Sequence, residues 1–86
     1  MTVYVDDMRA PYRRMIMCHM IADTEDELHA MAQRIGVARK WYQGDHYDVC
    51  LQMRAKAVAA GAVELTRMEL GRKVIAKRRA GKATQR

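Results

Sequence analysis

Eighty-six residues, half of them hydrophobic and 30% charged, make one globular domain rather than a disordered or fibrous chain. There is no Ser, no Asn, no G-x-x-x-x-G-K-[ST] and no G-x-G-x-x-G, which excludes a serine nucleophile, an N-glycosylation acceptor, a P-loop and a dinucleotide-binding turn. The net charge of +6 belongs to one end: residues 1–66 hold eight Lys/Arg against nine acids, while residues 67–86 hold eight against Glu69 alone.

The longest apolar run, Met15 to Ala22, falls well short of the roughly 18–20 residues a membrane span needs, so no membrane partner is expected. The opening MTVYVDD lacks the basic-then-apolar pattern of a signal sequence. Cys18 and Cys50 alone do not make a disulfide framework, and a reduced cytoplasmic setting is the expectation. Five aromatics and eight methionines leave a thin core of Met, Ile, Val, Leu and Ala, which a homodimer would relieve.

In chain order, Thr2 to Val5 alternates like a short strand that ends at Asp6-Asp7. Asp6 to Arg14, with Pro11, reads as a loop. Arg14 to Ala22 is apolar on both faces, as in a central strand covered on both sides. Thr24 with Glu27 forms a capping box, Leu28, Met31, Ala32 and Ile35 an apolar stripe, and Gly36 a C-terminal stop, predicting a first helix. Val37 to Tyr42 and His46 to Cys50 read as strands joined by a turn at Gln43-Gly44-Asp45. A second helix covers about Leu51 to Ala60, and Ala62 to Leu65 is a short strand. Thr66 with Glu69 repeats the capping box and opens a third helix through about Arg79. In that helix Leu70 and Val74 face inward, and Arg72, Lys73, Lys77, Arg78 and Arg79 form an extended basic surface. The fold class is therefore α/β or α+β: a small single sheet, about β-β-α-β-β-α-β-α, with helices packed on it. Residues 1–79 make the compact domain and 80–86 a disordered basic tail.

Met17-Cys-His-Met-Ile-Ala-Asp-Thr-Glu-Asp-Glu-Leu-His, Lys40-Trp-Tyr-Gln and His46-Tyr-Asp together resemble a family of short bacterial and bacteriophage proteins classed only as a domain of unknown function. The resemblance runs from about Val3 to Val63. It implies a small cytoplasmic, often phage-borne protein and assigns no activity. The connection between Trp41 and His46 is shorter here than in that pattern, and the basic tail is longer.

Two constellations carry chemistry. Asp6, Asp7, His19, His46 and Asp48 gather at predicted strand ends, and histidines beside carboxylates supply general acid–base groups or oxygen and nitrogen ligands for a divalent metal. On a strand, His46 and Asp48 share one face. Read structurally instead, Asp6-Asp7 makes a turn and His19 is a satisfied core histidine. A zinc site from Cys18, His19, His46 and Cys50 is not assigned, because Cys18 and His19 point to opposite faces of a strand; no metal ligand or cofactor is named. The second constellation, Arg39, Lys40, Trp41 and Tyr42, interleaves cations with aromatics and suits base stacking with phosphate contact; the alternative buries Trp41 in the core.

The leading expectation is a binding protein that engages nucleic acid, or an acidic protein surface of a nucleic-acid-handling host complex, through Arg39 to Tyr42 and the basic third helix. The family context suits an inhibitor of host defence. The alternative is a small hydrolase or nucleotide-ligand enzyme of phosphodiester chemistry, metal- or His/Asp-dependent, using the His/Asp cluster. A homodimeric module with a Met-rich protein-binding surface is a third.

Overall fold

The eight-residue strand Met15 to Ala22 organises the molecule, because every other long-range pairing but one is made to it. In the computed structural model, which describes residues 2–84, the elements are β1 (Val3–Val5), β2 (Ala10–Tyr12), β3 (Met15–Ala22), α1 (Glu25–Ile35), β4 (Tyr47–Cys50), α2 (Leu51–Ala59), β5 (Val63–Glu64) and α3 (Arg67–Thr84). The fold is α+β, one mixed five-stranded sheet carrying three helices.

β3 pairs antiparallel with β1, β2 and β4, and β5 adds parallel to β1. β4 occupies Met17 to Met20 of β3, overlapping the stretches taken by β2 (Met15 to Met17) and β1 (Met20 to Ala22). A strand has two edges, so β1 and β2 both lie on the edge opposite β4, separated by a detour at Asp6 to Arg9. That detour sits beside His19.

Alternation along the strands divides the sheet into two faces. Val3, Val5, Met20, Ala22, Tyr47 and Val49 point one way and form the core with Leu28, Met31, Ala32 and Ile35 of α1 and Ala57 of α2. Tyr4, Asp6, His19, Ile21 and Asp48 point the other way, where α3 packs on β3 and buries Leu70. Only the C-terminal half of β3 is covered on both sides; Met15 and Ile16 are exposed, contrary to the reading of a strand sheltered throughout.

The caps form as the sequence requires. Thr24 Oγ1 accepts from Glu27 N and Gly36 closes α1 with φ 89°, a left-handed conformation that suits glycine. At α3, Thr66 Oγ1 accepts from Glu69 N while Glu69 Oε1 accepts from Thr66 N, a complete reciprocal box.

Three local expectations are corrected. The loop expected over Asp6 to Arg14 contains β2, closed on β3 by a two-residue connection in which Arg13 takes φ 57°. Such turns are usually announced by Gly, Asn or Asp, so Arg13-Arg14 concealed the hairpin. The strand expected over Val37 to Tyr42 is instead a 3-10 turn at Arg39–Trp41, with Trp41 N and Tyr42 N donating to the carbonyls of Ala38 and Arg39. With its donors satisfied locally it pairs with no strand, and no hairpin with β4 forms. Finally, α3 continues past Arg79 to Thr84, since Ala80, Lys82 and Ala83 favour helix and Gly81 costs only about 1 kcal/mol. The remainder of the expected tail, residues 85–86, lies outside the described residues.

Candidate active site

Asp6 is the only buried charged residue among those described, at 0% exposure. It is tolerated because its carboxylate is saturated: Oδ1 accepts from His19 N (2.7 Å) and Met8 N (3.2 Å), and Oδ2 meets His19 Nδ1 at 2.8 Å. The first two bonds arise from the backbone detour after β1. A carboxylate only accepts, so His19 donates through Nδ1 and turns Nε2 away from Asp6. Arg54 Nε donates to the Asp6 carbonyl at 2.7 Å and Nη1 to Glu64 Oε1 at 2.9 Å, tying α2 to the end of β1 and to β5.

A second pair repeats this arrangement. Asp45 Oδ1 meets His46 Nδ1 at 2.6 Å, and Asp45 Oδ2 accepts from Arg78 Nε of α3 at 2.7 Å. Burial pushes the Asp45 carboxyl up, but the hydrogen bonds from Arg78 and His46 outweigh it and hold the group below the usual carboxylate range. The loop that carries the pair turns at Gly44 (φ 92°) and is closed by Gln43 N donating to the His46 carbonyl.

Asp48, directly across from His19 in the β3–β4 register, completes the cluster. Its Oδ2 accepts from Gln43 Nε2 at 2.8 Å. Its Oδ1 is shielded from solvent and accepts no hydrogen bond from the described residues. Facing that atom are His46 Nε2 at 3.5 Å and His19 Nε2 at 3.8 Å, both too long for hydrogen bonds. The imidazole rings stand edge to face, 5.2 Å between centroids. Three side chains from two strands and a loop thus bring His19 Nε2, His46 Nε2 and Asp48 Oδ1 to one small volume, each held from behind.

Of the predicted catalytic set, the fold brings together Asp6, His19, His46 and Asp48. Asp7 goes elsewhere: its Oδ1 accepts from Arg67 N and caps the start of α3. Sequence reasoning missed Gln43 and Asp45 as supports, although Asp45 adjoins His46 in the chain. It placed Arg78 on the basic surface of α3, where the residue is indeed exposed, without its pair to Asp45.

The expected basic residues of α3 remain exposed, but three of them also contact the rest of the fold. Leu70, Lys73, Val74, Lys77 and Arg78 follow helical spacing, so they share the side turned to the sheet. Lys73 Nζ lies 4.4 Å from the Tyr4 ring centre, Lys77 Nζ donates to the Ala22 carbonyl, and Arg78 pairs with Asp45. Arg72 and Arg79 are exposed. In the 3-10 turn, Trp41 is 58% exposed rather than in the core, with Lys40 Nζ 5.3 Å from its ring, while Tyr42 turns in against His29 and Tyr47. His29 is a structural residue: Nε2 donates to Glu25 Oε1, and Nδ1 accepts from Tyr47, whose hydroxyl is held protonated by burial.

The class defined by this fold and site is a small α+β domain with a surface histidine–aspartate centre. The chain belongs to the family described as "Protein of unknown function (DUF4031)", whose match covers residues 3–77 and so includes all five strands and most of α3. Neither the curated proteins nor the solved structures yield a match. Among the described residues, no helix is long and apolar enough to cross a membrane.

Proposed function

We propose that this protein is a small hydrolase that cleaves a phosphoester of nucleotide type at His19, His46 and Asp48. The observation that carries the reading is the convergence of two carboxylate-held histidines on the unpaired Oδ1 of Asp48. Such a set of donor atoms binds and activates water: one of its protons passes to solvent as its oxygen bonds to phosphorus, the ester P–O bond breaks, and the leaving oxygen takes up a proton from solvent. A groove of about 710 Å³ adjoins Asp48 and Gln43, walled by Tyr12, Met15, Met17 and Trp41, and offers an apolar bed for the organic part of the substrate. Arg13 at its rim provides positive charge for phosphate.

The test is turnover of bis(p-nitrophenyl) phosphate and of a nucleotide panel by the full chain. His46→Ala and Asp48→Asn are expected to lose about 100-fold or more in rate with folding retained. Absence of turnover on every phosphoester, or turnover indifferent to both substitutions, overturns the reading.

A second reading, engagement of nucleic acid without chemistry, is favoured by the exposed Lys40–Trp41 pair. Binding to short DNA and RNA that falls steeply with salt and is lost in a Lys40→Ala/Trp41→Ala variant is its signature. Retention of binding in that variant removes it.

A further inference from the structure

We infer that His19, His46 and Asp48 bind one divalent first-row transition-metal ion, with Zn²⁺ the ion the donor set suits best. The proposal deepens the hydrolase reading, on which its catalytic consequence rests; the binding itself stands on geometry.

One ligand atom from each residue lies within 4.8 Å of the others, the only such group of His, Cys, Asp or Glu among the described residues. The separations from Asp48 Oδ1 to the two Nε2 atoms, 3.5 and 3.8 Å, can be set against the roughly 3.4 Å between ligands placed about 2.0–2.1 Å from a tetrahedral zinc. On these two edges only a slight closure is required, and the third, between the two Nε2 atoms, lies within 4.8 Å. The same two imidazoles close to 2.8 and 2.6 Å on their carboxylates at Nδ1, so the wider spacing at Nε2 is particular to that side. Hydrogen bonds from Nδ1 to Asp6 and Asp45 set the tautomer and ring orientation that a metal-binding histidine needs. Gln43 likewise occupies Asp48 Oδ2 and leaves Oδ1 as the ligating oxygen.

The ligand types agree. Two imidazoles and one carboxylate favour zinc and its first-row neighbours over Mg²⁺ or Ca²⁺, which prefer all-oxygen shells. Cys18 is fully buried and points to the opposite face of β3, so it is no ligand. The three side chains remain 19–34% exposed, which leaves the remaining coordination positions open to water and substrate, the arrangement of a catalytic rather than a structural site. There a bound water gives up its proton to solvent near neutral pH, attacks phosphorus through its oxygen, and the departing alkoxide is protonated by solvent.

The experiment is calorimetric titration of the chelator-treated full chain with ZnCl₂, together with visible absorption on adding Co²⁺. The expected result is one ion per chain. His46→Ala and Asp48→Asn should weaken binding at least 100-fold, and Asp6→Asn about 10–100-fold through the loosened His19 ring. Cys50→Ala should bind as wild type, and urea unfolding confirms that each variant is folded. Less than one equivalent of Zn²⁺, or binding unaffected by Asp48→Asn, overturns the metal site. Phosphoester turnover that persists in chelator and ignores added metal overturns it too, yet leaves the hydrolase reading standing. Stoichiometric Zn²⁺ binding with no turnover does the reverse.

Discussion

The two faces of the sheet differ in what their residues are asked to do. Toward α1 and α2, Val5, Met20, Tyr47 and Val49 are at most 1% exposed, and every apolar atom finds a neighbour. Toward α3, the same strands present Asp6, His19 and Asp48: Asp6 orients His19, the Gln43 amide holds Asp48 Oδ2, and Asp48 Oδ1 is left unpaired. The first face supplies folding free energy, and the second consumes part of it to hold reactive groups apart. A domain this small has little surplus, which explains why the polar face is so thoroughly braced from behind.

The contrast can be broken most forcefully at the apolar face. Leu28→Ala, which removes a 2%-exposed side chain between α1 and the sheet, is expected to cost about 2–4 kcal/mol in urea unfolding. A loss under about 1 kcal/mol would mean that the α1 face is not the principal core. Next in size is Asp6→Asn, where an amide NH₂ replaces the oxygen that meets His19 Nδ1–H. It should cost about 1–3 kcal/mol, and an unchanged urea midpoint would show that this carboxylate does not brace the polar face.

Arg78→Gln should cost about 0.5–1 kcal/mol, because its ion pair with Asp45 is partly exposed. The pH dependence has a definite sign. The folded Asp45 carboxyl lies below its unfolded value, so its contribution is complete above the ordinary carboxylate range and is lost as pH falls through the folded value. The stability gap between wild type and Arg78→Gln is therefore full near about pH 6 and closes toward about pH 3. A gap that widened on acidification would contradict the pairing. The smallest effects fall on the groups kept for function. Asp48→Asn, which alters an oxygen with no hydrogen bond, and Trp41→Ala, which trims an exposed ring, should each change stability by no more than about 0.5 kcal/mol in thermal melts. A large loss in Asp48→Asn would make that residue part of the scaffold.

Much of this division was legible beforehand. The stripe Leu28, Met31, Ala32, Ile35 identified the buried side of α1, and period-two alternation put His46 and Asp48 on a common face. Asp6, His19, His46 and Asp48 are legible as candidates at strand ends, whereas Asp7 lies apart from them: adjacent carboxylates in a turn look alike until one of them caps a helix 60 residues away. The basic residues of α3 are exposed, as their charge suggests, but helical spacing from Leu70 to Arg78 also brings Lys73, Lys77 and Arg78 within reach of Tyr4, Ala22 and Asp45.

What the sequence determined by itself is what depends on neighbours within a few residues: the two capping boxes, the glycine stop at Gly36, the turn at Gly44 and the alternation of β3 and β4. These are local because a cap or a pleat is closed by atoms one to four positions away. Tertiary structure alone decided that Arg13 could close a hairpin, that Trp41 lies outside the core, and that Asp6 orients His19 from behind. It also decided that Arg78 of α3 reaches Asp45, 33 residues earlier. Those outcomes rest on which strand edges remained free and on the packed backbone carrying Asp6 within 3 Å of the His19 imidazole, and neither is written in any short stretch of chain.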